Sequence, residues 1–162
     1  MKGDQASDVI FRGPQAAKCA HAFTRERVVQ QHSRGCGLAC VAMATAGAAS
    51  YDEVANRARE RGWLSDIIRE GCPIRRLRLL LRDFGIESSP AAAFNHWNRT
   101  KASLAIVLIA WPKCPETHYM LYECIRVGDA WVDRLLDPLQ RMPTGTRWDV
   151  RKVIPRMIIR LR

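Results

Sequence analysis

The sequence contains no long hydrophobic run. Its longest apolar stretch, LAIVLIAW from Leu104 to Trp111, has eight residues, whereas a helix that crosses a bilayer needs about 20. The start of the chain, MKGDQASDVIFRG, also lacks the apolar core of a cleavable signal peptide. We therefore predict a protein without a membrane span, which is cytoplasmic or is secreted without a cleavable signal peptide.

The paired C-x-x-C spacing of zinc ribbons is also missing. The six cysteines are irregularly spaced, and only Cys36 and Cys40 lie close together. His32 could join these two as a zinc ligand, but no fourth ligand stands at a suitable spacing. The sequence therefore predicts neither a metal nor an organic cofactor, and most cysteines are expected to be reduced, small and buried.

Acidic residues are scarce, with 16 Asp and Glu against 26 Lys and Arg, which gives a net charge of +10. Such a balance favours acidic partners. The arginine-rich segment 74–84 is more typical of a solvated helix face than of a nucleic-acid site. The five tryptophans are scattered rather than interleaved with basic residues, which argues against a stacking platform for single strands. A peptide or protein partner, including an acidic one, is favoured over nucleic acid, and the oligomeric state stays open.

The 162 residues suffice for one ordinary domain. Residues 1–26 are polar and mixed and are predicted to form a loosely ordered arm, with the domain over 27–162. Helical patterns come first and strand patterns afterwards, which is the order of an α+β fold with an N-terminal helical half packed on an antiparallel sheet. The predicted helices are 36–47, 50–62 (with Ser50 as N-cap and Glu53 at the capping-box position) and 74–84; the predicted strands are 104–111, 118–126 and 130–137, and 151–162 adds a last strand interrupted by Pro155.

Cys36 is predicted to begin the first of these helices. A cysteine at a helix N-terminus beside an imidazole ionises readily and becomes a strong nucleophile. Gly35 and Gly37 flank it and would let a substrate carbonyl come close to the backbone. The backbone N–H of Cys36 and the side chain of Gln30 or Gln31 could stabilise an oxyanion. The alternative is that Cys36 is a small buried cysteine that takes no part in catalysis.

His118 opens a strand and is the candidate base. If the turn of the following hairpin covers residues 127–129, paired positions sum to about 255 to 257, and Asp137 is then a near cross-strand neighbour of His118. Asp133 would lie opposite residues 122–124, over ~13 Å away at roughly 3.3 Å per residue. We therefore expect Asp137 to orient the imidazole. A strand histidine and a carboxylate that only stabilises a turn are the alternatives.

The segment QQHSRGCGLACVAM resembles the Q-x5-C-G-x-A-C-x-A-M signature of bacteriocin-processing peptidases. Those are papain-like cysteine peptidases that cut after double-glycine leaders and are often fused to ABC transporters. HYMLY at 118–122 is similar to the family's histidine strand and LLDPL at 135–139 to its D-P motif, so the resemblance covers roughly residues 28 to 140. It implies a papain-like fold in which Cys36 is the nucleophile, His118 the base, Asp137 the third triad member and Gln30 the oxyanion-hole residue.

The resemblance implies amide hydrolysis through an acyl-enzyme. The expected biological role is bacterial leader-peptide processing or that of a secreted effector protease. Two alternatives stay open. One is an acyl transferase or amidase that uses the same triad, since a fold does not fix a substrate. The other is a basic binding module that has lost catalysis, which predicts a missing triad member.

Overall fold

In the computed structural model, which describes residues 10–11, 13–97, 102–110, 116–139 and 145–162, most of the helices precede the main strands. The helices are α1 (Pro14–Ala17), α2 (Cys36–Ala44), α3 (Tyr51–Glu60), α4 (Leu64–Glu70) and α5 (Ile74–Asp83), with short 3-10 helices at Ala20–Ala22 and Val150–Lys152. The three predicted helices are confirmed as α2, α3 and α5, and α4 was not predicted.

Local sequence explains where these helices lie. All nine residues of α2 are buried because the segment is small and apolar on every side, so α2 forms the centre of the helical half. Helix α3 begins with the predicted capping box, in which Ser50 and Glu53 each accept a hydrogen bond from the other's backbone N–H. Helix α5 buries Leu77, Leu80 and Leu81, whereas its four arginines are exposed or half-buried, as expected of an amphipathic helix.

The strands form one sheet in the order β1-β5-β4-β3-β7-β2, with β6 paired to β5. Their bounds are β1 (Ile10–Phe11), β2 (Ala92–Ala93), β3 (Leu104–Ala110), β4 (Thr117–Val127), β5 (Ala130–Leu136), β6 (Thr146–Arg147) and β7 (Pro155–Arg160). The β1–β5 pair is parallel and the other described pairs are antiparallel. The predicted antiparallel sheet is confirmed.

The hairpin β4–β5 determines which residues of its two strands lie opposite one another. Val127 lies opposite Ala130 and Leu121 opposite Leu136, so paired positions sum to 257, within the predicted range. The connection is the two-residue loop Gly128-Asp129, and Gly128 has the positive φ of 61° that a tight hairpin turn requires.

Both faces of the sheet are covered. One face, including Ile106, Leu121 and Ile159, packs against the helices. The opposite face, including Val107 and Met120, is covered by Phe94, Trp97, Val150 and Val153. The strong burial on both faces explains why β3 has a nearly continuous apolar sequence rather than an alternating pattern.

The segment before α2 lies along the sheet. The Arg134 guanidinium is 4.1 Å from the ring centroid of Phe23, and Arg25 Nη1 is 3.0 Å from Glu123 Oε1. These contacts attach residues 23–25 to β4 and β5, although this part of the chain falls within the predicted loose arm. Residues 1–9 and 12 of that arm lie outside the described residues, and the boundary at residue 27 stays a prediction.

The predicted final strand begins, rather than breaks, at Pro155. Leu108 pairs with Met157 and Ile109 with Pro155, which marks an irregularity at this point of the β3–β7 pair. Proline has no N–H to donate and is therefore accepted at the first position of a strand or at a bulge. The rest of β7 then pairs regularly with β3.

Candidate active site

Cys36 is the first residue of α2 and is buried. The backbone N–H groups of a first helical turn have no acceptor within the helix, so they and the helix dipole favour negative charge at this position. The predicted placement of Cys36 at a helix N-terminus is confirmed.

The two glycines beside Cys36 are explained by packing. A Cβ atom at Gly35 would collide with the Tyr51 hydroxyl, and one at Gly37 would lie 2.8 Å from Cys72 Cβ. The sequence predicts that these glycines let a substrate carbonyl approach the backbone. In the structure, each glycine leaves room for a neighbouring side chain. Their role is to let α2 lie close to α3 and to the segment before α5.

A Gly37→Ala variant is expected to lower the free energy of unfolding by about 1–3 kcal/mol, because the added methyl must displace Cys72 or α2. Urea denaturation measures this change. The matched comparison is the cycle with Cys72→Gly, which removes the obstructing Cβ and should make Gly37→Ala less costly. An equal cost in both backgrounds would show that the contact with Cys72 is not the cause.

His118 and Asp137 are brought together by the β4–β5 hairpin. His118 is the second residue of β4, and Asp137 directly follows β5. The His118 Nε2 atom is 2.9 Å from Asp137 Oδ1, and both residues are buried. Asp133, the rejected alternative, lies opposite Cys124 and is 3.4 Å from the Tyr122 hydroxyl. His118 and Asp137 are therefore close neighbours, as the hairpin register predicts.

Cys36 also interacts with His118, and this interaction favours the protonated imidazole. Because Nε2 faces Asp137, the other ring nitrogen, Nδ1, is the one left for the sulfur. Burial by itself disfavours the imidazolium, but the hydrogen bonds and charges of Asp137 and Cys36 outweigh it and raise the His118 pKa to about 9. The site can therefore hold a protonated imidazole beside the Cys36 sulfur at neutral pH.

The other buried thiols near Cys36 have a different character. Burial is the main reason that the pKa of Cys40 is raised well above its ordinary value and that of Cys72 to about 12. Both therefore remain neutral thiols at neutral pH. Cys19, Cys36, Cys40 and Cys72 are free thiols, and Cys114 lies outside the described residues.

Of the two candidate glutamines, Gln30 is buried and Gln31 is exposed. The Gln30 Nε2 group donates to the carbonyl oxygens of His32 and Ser33, at 3.0 and 2.8 Å. Its Oε1 atom is buried without a hydrogen-bond partner among the described residues. In this structure the amide therefore stabilises the loop before Cys36, and an oxyanion could receive a hydrogen bond from it only if one of those two bonds were released.

His32 lies away from this arrangement. Its Nδ1 atom is 2.9 Å from the Tyr51 hydroxyl, the same hydroxyl that fills the space beside Gly35. Within the described part of the chain, no group of three or more metal-ligating side chains is close enough to hold an ion. Tyr51 was not singled out from the sequence, because only the fold brings it to the loop before Cys36.

No model of a known protein family and no curated protein matches the sequence. The structure is similar to the crystal structure of a double glycine motif protease from an AMS/PCAT transporter in complex with the leader peptide. The TM-score is 0.55, over 85% of this chain and 90% of that chain, at 14% sequence identity. The fold is papain-like.

The papain-like fold explains why the site lies where it does. The helical half contributes Cys36 from a helix N-terminus, and the sheet contributes His118 from β4 and Asp137 from the residue that follows β5. The fold thus brings Cys36 together with His118, which lies more than 80 positions later in the sequence. None of the helices in the described ranges is both long and apolar enough to cross a membrane.

Proposed function

We propose that the protein is a cysteine peptidase that cleaves a peptide bond through an acyl-enzyme on Cys36. The observation that carries this proposal is the 2.9 Å hydrogen bond between His118 Nε2 and Asp137 Oδ1, together with the interaction of Cys36 with the same imidazole. In this arrangement the nucleophile has a base, and the base has a carboxylate that orients it. A papain-like fold supports the same chemistry, and no member of the proposed triad is missing.

The proposed reaction begins with attack of the Cys36 thiolate on the substrate carbonyl carbon. A C–S bond forms, and the carbonyl electrons move to the oxygen, where the backbone N–H of Cys36 and the Gln30 amide stabilise the negative charge. When the intermediate collapses, the C–N bond breaks and His118 gives its Nδ1 proton to the leaving amine. Water then attacks the thioester and gives a proton to His118. The C–S bond breaks, the carboxylic acid leaves, and the Cys36 thiolate beside protonated His118 is restored.

Gln30 needs a small rearrangement for this role, because both of its amide hydrogens are engaged by the carbonyls of His32 and Ser33. One of these hydrogen bonds must be exchanged for one to the oxyanion. Such an exchange costs little, since a hydrogen bond to a charged oxygen is stronger than one to a neutral carbonyl. Gln30 would then stabilise the transition state more than the free enzyme.

The proposed substrate is a peptide cut after a double glycine. The sequence around Cys36 resembles that peptidase family, and the structurally similar protease was crystallised with a leader peptide. An acidic, amphipathic peptide is the favoured subclass. A groove beside α5 combines apolar and basic side chains, with Ile74, Leu79, Ile86, Met157, Arg75, Arg78 and Arg82 among its lining residues.

A peptide panel tests the proposal. We expect the protein to cleave after Gly-Gly and not after Ala-Ala, with a lower KM when the residues upstream are rich in Glu than when they are rich in Lys. Cleavage should fall roughly 10⁴-fold or more in Cys36→Ala, since without the sulfur no acyl-enzyme can form. Mass spectrometry detects the products and the thioester adduct.

Each arm of this panel can contradict one part of the proposal. Equal cleavage by Cys36→Ala would exclude Cys36 as the nucleophile. A preference for Lys-rich peptides would exclude the acidic substrate, and cleavage after Ala-Ala at the same rate would exclude the double-glycine class. If the thioester forms but its acyl group is transferred to an added amine faster than to water, the enzyme is an acyl transferase.

A further inference from the structure

Three successive carbonyl groups that follow β5 accept hydrogen bonds from one short segment before Cys36. Arg27 Nε donates to Asp137 O at 2.7 Å, and Arg27 Nη2 donates to Leu139 O. Between them, the Gln30 backbone N–H donates to Pro138 O at 2.9 Å. Segment 27–30, which leads to the nucleophile, is therefore bonded directly to the turn that carries the carboxylate.

The position of the Asp137 carboxylate depends on this turn. Its Oδ1 atom accepts from His118 Nε2 and from the Leu139 backbone N–H, at 2.9 and 3.0 Å. Its Oδ2 atom is buried without a hydrogen-bond partner among the described residues. The orientation of the carboxylate thus rests on Oδ1 and on the backbone of residues 137–139, whose two outer carbonyls Arg27 holds.

Arg27 occupies a space that only glycine leaves open. The Asp137 backbone N–H donates to Gly145 O at 2.7 Å, and a Cβ atom at Gly145 would collide with the end of the Arg27 side chain. Gly145 also has a φ of 60°, which favours glycine. A guanidinium is planar and donates in two fixed directions at once, whereas a lysine ammonium is a point donor.

We infer that Arg27 is a positioning residue that fixes the Asp137 carboxylate beside His118 and connects it to the segment that precedes Cys36. The inference rests on the proposed function, because the triad gives this position its importance. Arg27 touches neither the sulfur nor the imidazole in these contacts, so it acts through Asp137. Its two bonds also satisfy carbonyls that the end of β5 would otherwise leave without donors.

The test compares Arg27→Met with Arg25→Met. Methionine keeps an unbranched apolar stem against Gly145 but removes both donors. Arg25 is the matched control, because it lies on the same segment and pairs with Glu123 rather than with the turn. The readouts are the His118 titration by NMR, with the signal assigned from its loss in His118→Gln, and kcat and KM for a cleaved peptide.

We expect Arg27→Met to lower the His118 pKa by about one unit and kcat by about tenfold, with KM changed less than about twofold. Arg27→Lys should give an intermediate result, and it replaces Arg27→Met if that variant does not fold. Arg25→Met should leave both readouts at the wild-type values even if it lowers the melting temperature.

If the Arg27 variants have the same His118 pKa, kcat and KM as Arg25→Met, the inference is overturned. Arg27 would then only stabilise the fold. The proposed function fails separately. If the wild type cleaves no peptide but the His118 pKa still falls in Arg27→Met and not in Arg25→Met, the positioning role stands and the peptidase assignment does not.

Discussion

Limiting iodoacetamide is expected to alkylate Cys36 ahead of the other cysteines at pH 6.5, and His118→Ala is expected to abolish this preference. At that pH an ordinary thiol of pKa about 8.5 is only about 1% thiolate. A protonated His118 beside the sulfur favours the thiolate, so loss of the imidazole should slow alkylation of Cys36 roughly 10²-fold. Cys40 and Cys72 should react slowly in both proteins, because they are buried and their pKa values are raised.

Mass spectrometry of the partly alkylated protein across pH identifies the modified cysteine. The matched control is His32→Ala, which removes a histidine only four residues from Cys36 that bonds to Tyr51 instead. This control should keep the fast reaction. If Cys36 reacts no faster than the other thiols, or if His118→Ala and His32→Ala behave alike, the peptidase proposal fails, and a non-enzymatic role of the basic surface becomes the better hypothesis.

The pairing of His118 with Asp137 could be predicted because a hairpin converts sequence positions into distances. A two-residue loop at Gly128-Asp129 leaves little freedom in register, and a shift of four residues would have been needed to bring Asp133 to His118. The helix that begins at Cys36 could also be predicted, because a small apolar run after a glycine-containing turn is typical of a buried helix. Both conclusions follow from local periodicity plus one turn.

The contacts that hold the site could not be predicted in the same way. Arg27 reaches the turn at 137–139 across more than 100 residues, and nothing in its own neighbourhood distinguishes it from Arg25. The orientation of the Gln30 amide is likewise set by the carbonyls of His32 and Ser33. Such interactions depend on how separate segments meet, which neither spacing nor composition encodes.

Two features of the fold were missed for identifiable reasons. Helix α4 has seven residues and begins after Trp63, which makes no side-chain capping bond, so the usual start signals are missing. Arg134 and Glu123 form a buried cross-strand ion pair at 2.7 Å, although charged residues in a strand normally indicate a solvated face. Burial of the pair is possible because Arg134 also donates to the Arg25 carbonyl and lies over the Phe23 ring.

Asp137→Asn is expected to move the alkaline limit of kcat/KM from about pH 9 downward by about 2.5 units. The pKa of His118 is about 9 because the bonds and charges of Asp137 and Cys36 outweigh burial. Asparagine keeps an acceptor oxygen for His118 Nε2 and Leu139 N but removes the charge, so burial should lower the His118 pKa to about its ordinary value of 6.5. NMR titration of His118 and the pH profile of peptide cleavage measure the two shifts.

Asp137→Ala separates orientation from charge, because it removes the acceptor as well. We expect it to lose roughly 10²–10⁴-fold in kcat at every pH, whereas Asp137→Asn should retain much of its activity below pH 6, where its imidazole is still protonated.

The free energy of unfolding should depend on pH through the same His118 titration. Since the folded-state pKa of His118 is raised, its protonation stabilises the wild type fully below about pH 6.5, and this contribution is lost as the pH rises through about 9. Urea denaturation of Asp137→Asn should show no such loss over that window. A His118 pKa that stays near 9 in Asp137→Asn would mean that Cys36 alone holds the proton on the imidazole, and Asp137 would then be a structural residue of the turn.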